Sequence, residues 1–241
     1  IALGRLGATA QPAAEALMHA LRDKHAGTRV AAAEALGTIQ ADPEEIVLPL
    51  VDALKDPAAE VRLAVAATLL RFGPRAKQAV SGLAALLVVE KSPEVRSKVA
   101  EALSQIGPEA AEAVPNLARA LSDPHTDVRR WSALALSRVG SEARPALQEL
   151  TKVLADEKDK SVRTYAVRAL GHIGRDAVPA LIDCVRREVA AEVRLVAIDE
   201  LGAQGADAEA AVPVLQSAAN DSKKSIREAA AQALKKIQAK M

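Results

Sequence analysis

The apolar positions of this chain recur about a basic residue. Val-Arg stands at Val61-Arg62, Val95-Arg96, Val128-Arg129, Val162-Arg163 and Val193-Arg194, with Ile226-Arg227 a close variant and Thr28-Arg29 a weaker one. The arginines at 29, 62, 96, 129, 163, 194 and 227 are separated by 33, 34, 33, 34, 31 and 33 residues. Seven places after each comes leucine: Leu36, Leu69, Leu103, Leu136, Leu170, Leu201 and Leu234. Four places after come Ala33, Ala66, Ala100, Ala133, Val167, Ile198 and Ala231, and ten places after come mostly Ile, Val or Phe. Offsets −1, +4, +7 and +10 form one stripe on a helix of 3.6 residues per turn. Gly73, Gly107, Gly140, Gly174 and Gly205 follow that stripe, where a left-handed C-cap would end the helix.

A second amphipathic stretch precedes each arginine, as in AVPNLARALSD (113–123), VPALIDCVRRE (178–188) and AVPVLQSAAND (211–221). Pro115, Pro179 and Pro213 stand two places before a leucine, where a missing N–H either opens or kinks a helix. Each unit therefore reads as helix A, a short turn, helix B and a glycine-marked loop. No sustained alternation of β-branched residues signals a strand. The pattern predicts an all-α chain, an α-solenoid of about seven stacked helical hairpins, no one of which is stable alone.

The unit -AVPxLxxALxDxxxxVRxxAxxALxxIG-, seen best at 113–140, resembles the HEAT repeat, specifically the HEAT-like type associated with phycobilisome lyases. The resemblance covers nearly the whole chain. It implies one array over 1–241, with repeats at about 8–40, 41–73, 74–107, 108–140, 141–174, 175–205 and 206–241. Residues 1–7, IALGRLG, match the end of a preceding helix B, as in a fragment of a longer protein, and the polar KKIQAKM suits a C-terminal cap. The family resemblance implies a protein-binding scaffold. Some relatives act on bilins or are metal-dependent hydroxylases.

Composition narrows the chemistry. Apolar residues make up 50% of the 241 residues but aromatics only 1%, namely Phe72, Trp131 and Tyr165. The core is therefore expected to be thin, with helices approaching over Ala, Leu, Val and Ile. Thirty-two basic and 31 acidic residues give a net charge of +1, which favours neither nucleic acid nor an anionic membrane. No apolar run is long enough to span a bilayer. The single cysteine, Cys184, excludes an internal disulfide framework and fits a reducing, cytoplasmic setting.

The stretch DPHTDVRRW (123–131) looks at first like a catalytic site. Its acid and first arginine are repeated throughout. An acid stands six places before every arginine: Asp23, Asp56, Glu90, Asp123, Glu157, Glu188 and Asp221. Seven copies at one spacing read as a structural ladder with Arg29, Arg62, Arg96, Arg129, Arg163, Arg194 and Arg227. The carboxylate sits at the start of helix B, where backbone N–H groups and the helix dipole favour it, and it bridges the arginine of its own or a neighbouring repeat. His25 and His125 read as solvated turn residues, and Cys184 as a small buried hydrophobe. The His-Glu dipeptides that hydroxylases of this fold use are absent, as are HExxH, G-x-S-x-G and a phosphate-cradling loop. No catalytic residue, metal or cofactor is expected.

In a repeat protein the residues that break the consensus carry the individuality. With the core stripe as above, offsets +1, +5 and +8, flanked by +2 and +9, form the opposite face of helix B, expected to line the concave side. The middle repeats stand out there, with Lys98, Arg130, Trp131, Leu134, Arg138, Tyr165, Arg168 and His172. Aromatics beside arginines are the usual chemistry of binding hot spots. The expectation is a non-catalytic scaffold holding another protein or a peptide segment on that face, and no nucleic acid or membrane. The alternative is a phycobilin-lyase-like protein with a tetrapyrrole in the groove, its propionates on the arginines.

Overall fold

The computed structural model describes residues 13–39 and 43–239. Residues 1–7, expected as the end of a helix B, lie outside them. The chain divides into two compact units, residues 1–135 and 136–241. In the first unit the helices A are α1 (Ala14–Ala20), α3 (Pro43–Ala53), α5 (Val80–Val89) and α7 (Val114–Ala120). They alternate with the helices B, α2 (Ala26–Leu36), α4 (Ala59–Phe72), α6 (Pro93–Ile106) and α8 (Thr126–Val139), and the boundary falls in the last turns of α8. In the second unit, α9 (Leu147–Asp156), α11 (Val178–Arg187) and α13 (Val212–Ala218) alternate with α10 (Lys160–Ile173), α12 (Ala191–Gln204) and α14 (Lys224–Gln238). No strand occurs among the described residues.

α2, α4, α6, α10, α12 and α14 each pack on their own helix A, and neighbouring helices B pack on one another: α2 on α4 on α6 in the first unit, α10 on α12 on α14 in the second. The repeated stripe is the core. Val61, Ala66 and Leu69 are fully buried, as are Ala100, Leu103 and Ile106 in the next repeat and Val162, Val167 and Leu170 in the second unit. Burying such a side chain contributes roughly 1.5–3 kcal/mol. Helix B is covered on more sides than one stripe allows for, so offsets +3 and +6 are buried as well, among them Val99 and Ala102.

In α6, α8, α10 and α12 offset +8 corrects the expectation that it belongs to the open face, whereas Gly37 and Leu70 there are half-buried and Lys235 is exposed. Ser104, Ser137, Gly171 and Gly202, all at +8, are buried. Small side chains there let successive helices B approach. Offsets +1, +2, +5 and +9 remain as a narrow, partly exposed strip.

The glycines end their helices at positive φ, from 53° at Gly73 to 91° at Gly174. At Gly73, Gly107, Gly174 and Gly205 ψ lies between about −130° and −147°, not in the left-handed helical basin. This region is essentially open to glycine alone. After it the chain runs through a 3-10 helix of seven residues at Gly73–Ala79, Gly107–Ala113, Gly140–Ala146 and Gly205–Ala211, and of three at Arg175–Ala177. Pro115, Pro179 and Pro213 occupy the first turn of α7, α11 and α13, opening those helices rather than kinking them.

Candidate functional site

The acid column lies at the turn between helices A and B. In every repeat the backbone N–H two residues on donates to its carboxylate: His25 to Asp23, Ala58 to Asp56, Ser92 to Glu90, His125 to Asp123, Asp159 to Glu157, Ala190 to Glu188 and Lys223 to Asp221, at 2.7–2.9 Å. The residue that donates is the one that opens helix B. Ala58, Ala190 and Lys223, which have no capping oxygen, can therefore start a helix.

The arginine ties this turn to the next. Arg29 donates to both oxygens of Asp56 at 2.6 and 2.8 Å, Arg62 to both of Glu90 at 2.5 and 3.0 Å, and Arg96 to both of Asp123 at 2.7 and 2.9 Å. In the second unit Arg163 grips Glu188 the same way, and Arg194 makes one bond to Asp221 at 2.9 Å. The partner is thus the acid of the following repeat. The remaining guanidinium nitrogen of Arg29, Arg62, Arg96, Arg129, Arg163 and Arg227 donates to the carbonyl of its own repeat's acid and of the residue after it. Arg194 departs from this and donates to Val185 O. Arg62 lowers the Glu90 carboxyl below its ordinary range, outweighing burial. Burial works against ionisation of Asp56 and Asp123, but bonds from Arg29 and Arg96 and from the turn N–H groups hold both below the usual range.

The consensus-breaking residues divide between the units. In the first, Trp131 is half-buried, and the Arg130 guanidinium lies over it at 5.8 Å from the ring centroid. Arg130 also pairs with Asp127 at 2.7 Å, and Lys98 with Glu101 at 2.6 Å. Leu134 is half-buried one turn beyond Trp131. In the second unit Arg138, Arg168 and His172 are exposed and Tyr165 is half-buried. The His172 ring is anchored by Nδ1, 2.7 Å from the Ser137 carbonyl, which accepts its N–H. The turn residues His25 and His125 are exposed. Burial pushes the Cys184 thiol up to about 12, with Glu188 adding to the effect.

Sequence reasoning passed over Glu200. Its side chain lies over Gly171, where an added Cβ would meet its carboxylate. Burial raises its pKa, against the opposing effects of His172 and Arg168. The signal was present: glycine at +8 in two consecutive helices B marks a close approach. Among the described residues no three of His, Cys, Asp and Glu are grouped to hold a metal ion, and no helix is long and apolar enough to cross a membrane.

The HEAT-repeat family model matches residues 47–111, 80–171 and 147–235, and the model of the phycobilisome-lyase HEAT-like repeat matches 28–56. No curated protein matches the chain. Among solved structures, YibA of E. coli is similar at 24% identity and a TM-score of 0.63, covering 97% of this chain and 83% of that one. Computationally designed armadillo repeat proteins for modular peptide recognition are similar at 19% and 0.60, covering 81% and 99%. Importin beta is similar at 17% and 0.60, covering 97% of this chain and 36% of that one. The family-model matches run from residue 47 to 235, and the chain belongs to the HEAT-repeat family.

Proposed function

We propose that the chain is a non-catalytic scaffold that holds a partner protein or peptide on the open strip of its helices B. One observation carries the reading. Core packing leaves offsets +1, +2, +5 and +9 of helix B at least partly uncovered in most repeats, and there the repeats differ from one another. Trp131, Arg130 and Leu134 on α8 and Lys98 on α6 in the first unit, and Tyr165, Arg168, His172 and Arg138 in the second, are the side chains with most to offer a partner. Tyr, Trp and Arg dominate measured hot spots, because a half-buried ring gives contact area at little entropic cost. The likeness to armadillo proteins designed for peptide recognition supports the kind of partner. Glu34 and Glu101 in the first unit, and Asp199 in the second, lie at the same +5 offset and work against a polyphosphate ligand.

Photo-crosslinking tests the face directly. A benzophenone side chain placed at 131 or at 165 should join the chain to its partner, and one placed at Gln78, outside helix B, should not. Trp131→Ala should weaken capture by about 30-fold, the effect of losing a hot spot of about 2 kcal/mol, with helicity unchanged. Capture equal to that of the unaltered protein would end this reading.

A further inference from the structure

Away from the helix-B strip, α3 and α5 of the first unit enclose a cavity of about 430 Å³, open along one side. Its walls are Val51 and Leu54 on one flank and Ala85, Leu86 and Val89 on the other. Gly82 lies where the side chains of α3 come closest to α5. A Cβ there would already stand 3.1 Å from Val51 Cγ1 and 3.3 Å from Leu54 Cδ1. The surrounding surface is apolar too. Leu48 is 57% exposed, Val88 45% and Val89 73%, three of the four large exposed hydrophobics among the described residues.

Other helices A do not look like this. The three outward places that α5 fills with Ala85, Val88 and Val89 hold Lys152, Ala155 and Asp156 in α9, and Asp183, Arg186 and Arg187 in α11. The ten residues of α5 carry no charge. An outer helix normally turns charge to water, so the apolar face of α5 asks for a cover.

Charge at one end says what kind of cover. The acids there, Asp56 and Glu90, are already bound by Arg29 and Arg62. Lys55 and Lys91 line the same end, and neither has an ion-pair partner among the described residues. Asp52 does not line this cavity; it lies in a smaller neighbouring groove beside α1, which Lys55 and Asp56 also line, so Lys91 is the lysine further from that acid. We propose that this groove docks an aliphatic, acidic segment of a partner protein, with branched side chains over Ala85 and Val89 and a carboxylate at Lys55 and Lys91. The surface is separate from the helix-B strip, so either assignment stands or falls alone.

The test uses the full chain and three probes: a helical peptide with leucines at i, i+3 and i+4 followed by two glutamates, the same peptide ending in two lysines, and decanoate. Methyl NMR signals of Val51, Leu54, Leu86 and Val89 report the groove. The glutamate peptide should shift these signals and bind about tenfold more tightly than the lysine peptide, as two exposed charges would give. Lys55→Glu with Lys91→Glu should reverse that order. Gly82→Leu should abolish the shifts. If that variant unfolds, Val89→Asp, at an exposed position, should cut binding by at least about tenfold, since it sets a charge against the apolar side chains. Equal binding of the two peptides, shifts outside the groove, or decanoate binding without peptide binding would each overturn the proposal.

Discussion

Gly171 and Gly202 occupy the same column one repeat apart, yet they face different neighbours. At Gly202 a Cβ would stand 2.9 Å from both Cα and Cβ of Ala233, backbone that cannot step aside. At Gly171 it would meet the carboxyl end of Glu200, which can swing into water. Alanine in a helix gains about 1 kcal/mol over glycine. Gly171→Ala should therefore be neutral or slightly stabilising in urea unfolding, whereas Gly202→Ala should lose about 1–3 kcal/mol through overpacking. The first substitution should also bring the raised Glu200 pKa back toward the ordinary carboxylate range, read by carboxyl ¹³C NMR. Gly107 isolates a third cause. It has φ 74° and nothing within 4 Å of an added Cβ, so Gly107→Ala should cost about 1–3 kcal/mol from backbone strain alone.

The helical hairpin has two forms of turn. In four repeats helix A ends, two turn residues follow, and the ladder acid is aspartate: Asp23, Asp56, Asp123 and Asp221. In three the acid itself ends helix A and is glutamate: Glu90, Glu157 and Glu188. The longer side chain reaches the same N–H and, for Glu90 and Glu188, the same kind of guanidinium from a different starting point. The two forms account for the arginine spacings, 33 before an aspartate turn and 34 before a glutamate turn. The 31-residue step is a glutamate turn whose 3-10 segment, Arg175–Ala177, is shortened. The Glu90 side chain is only 1% exposed, so its pairing with Arg62 matters to stability. Arg62→Met should destabilise by about 3–5 kcal/mol by stranding that carboxylate, and Glu90→Met in the same chain should recover most of the loss. The depressed carboxyls of Asp56, Glu90 and Asp123 contribute stability that is fully present above the unfolded-state carboxylate pKa. It is lost as pH falls through the lower, folded values. Acid unfolding should accordingly begin at higher pH in Arg62→Met with Arg96→Met than in the unaltered chain.

Across the whole molecule, stability is expected to be local. Each helix B touches mainly its neighbours, so a defect should spread one repeat and stop. Ile226→Ala removes a fully buried side chain from α14 and should cost about 2–5 kcal/mol locally. Hydrogen exchange should then quicken in α12 through α14 and stay unchanged in α4 and α6. A uniform loss of protection would mean that the array unfolds as one body. The last repeat already differs from the inner ones. Ala231 is exposed and Leu234 half-buried, whereas Ala100 and Leu103 at the same offsets are fully buried.

The sequence by itself determined the hairpin, its period and its buried stripe, because each depends on local periodicity copied seven times. It also determined the acid and arginine columns. The stretch 123–131, read alone as a site, resolves by repetition into a turn followed by Arg130 and Trp131. Tertiary structure decided which repeat's acid each arginine takes, since the two partners are separated by 25–28 residues and the spacing serves either repeat. It moved offset +8 of α6, α8, α10 and α12 from the open face to the interior, because helix B is enclosed there by neighbours that a single-helix projection leaves out. Only packing could show Glu200 over Gly171, or a groove between α3 and α5 with Val51 and Leu54 on one side and Val89 on the other. A vacancy takes its shape from the atoms around it, and those come from different repeats.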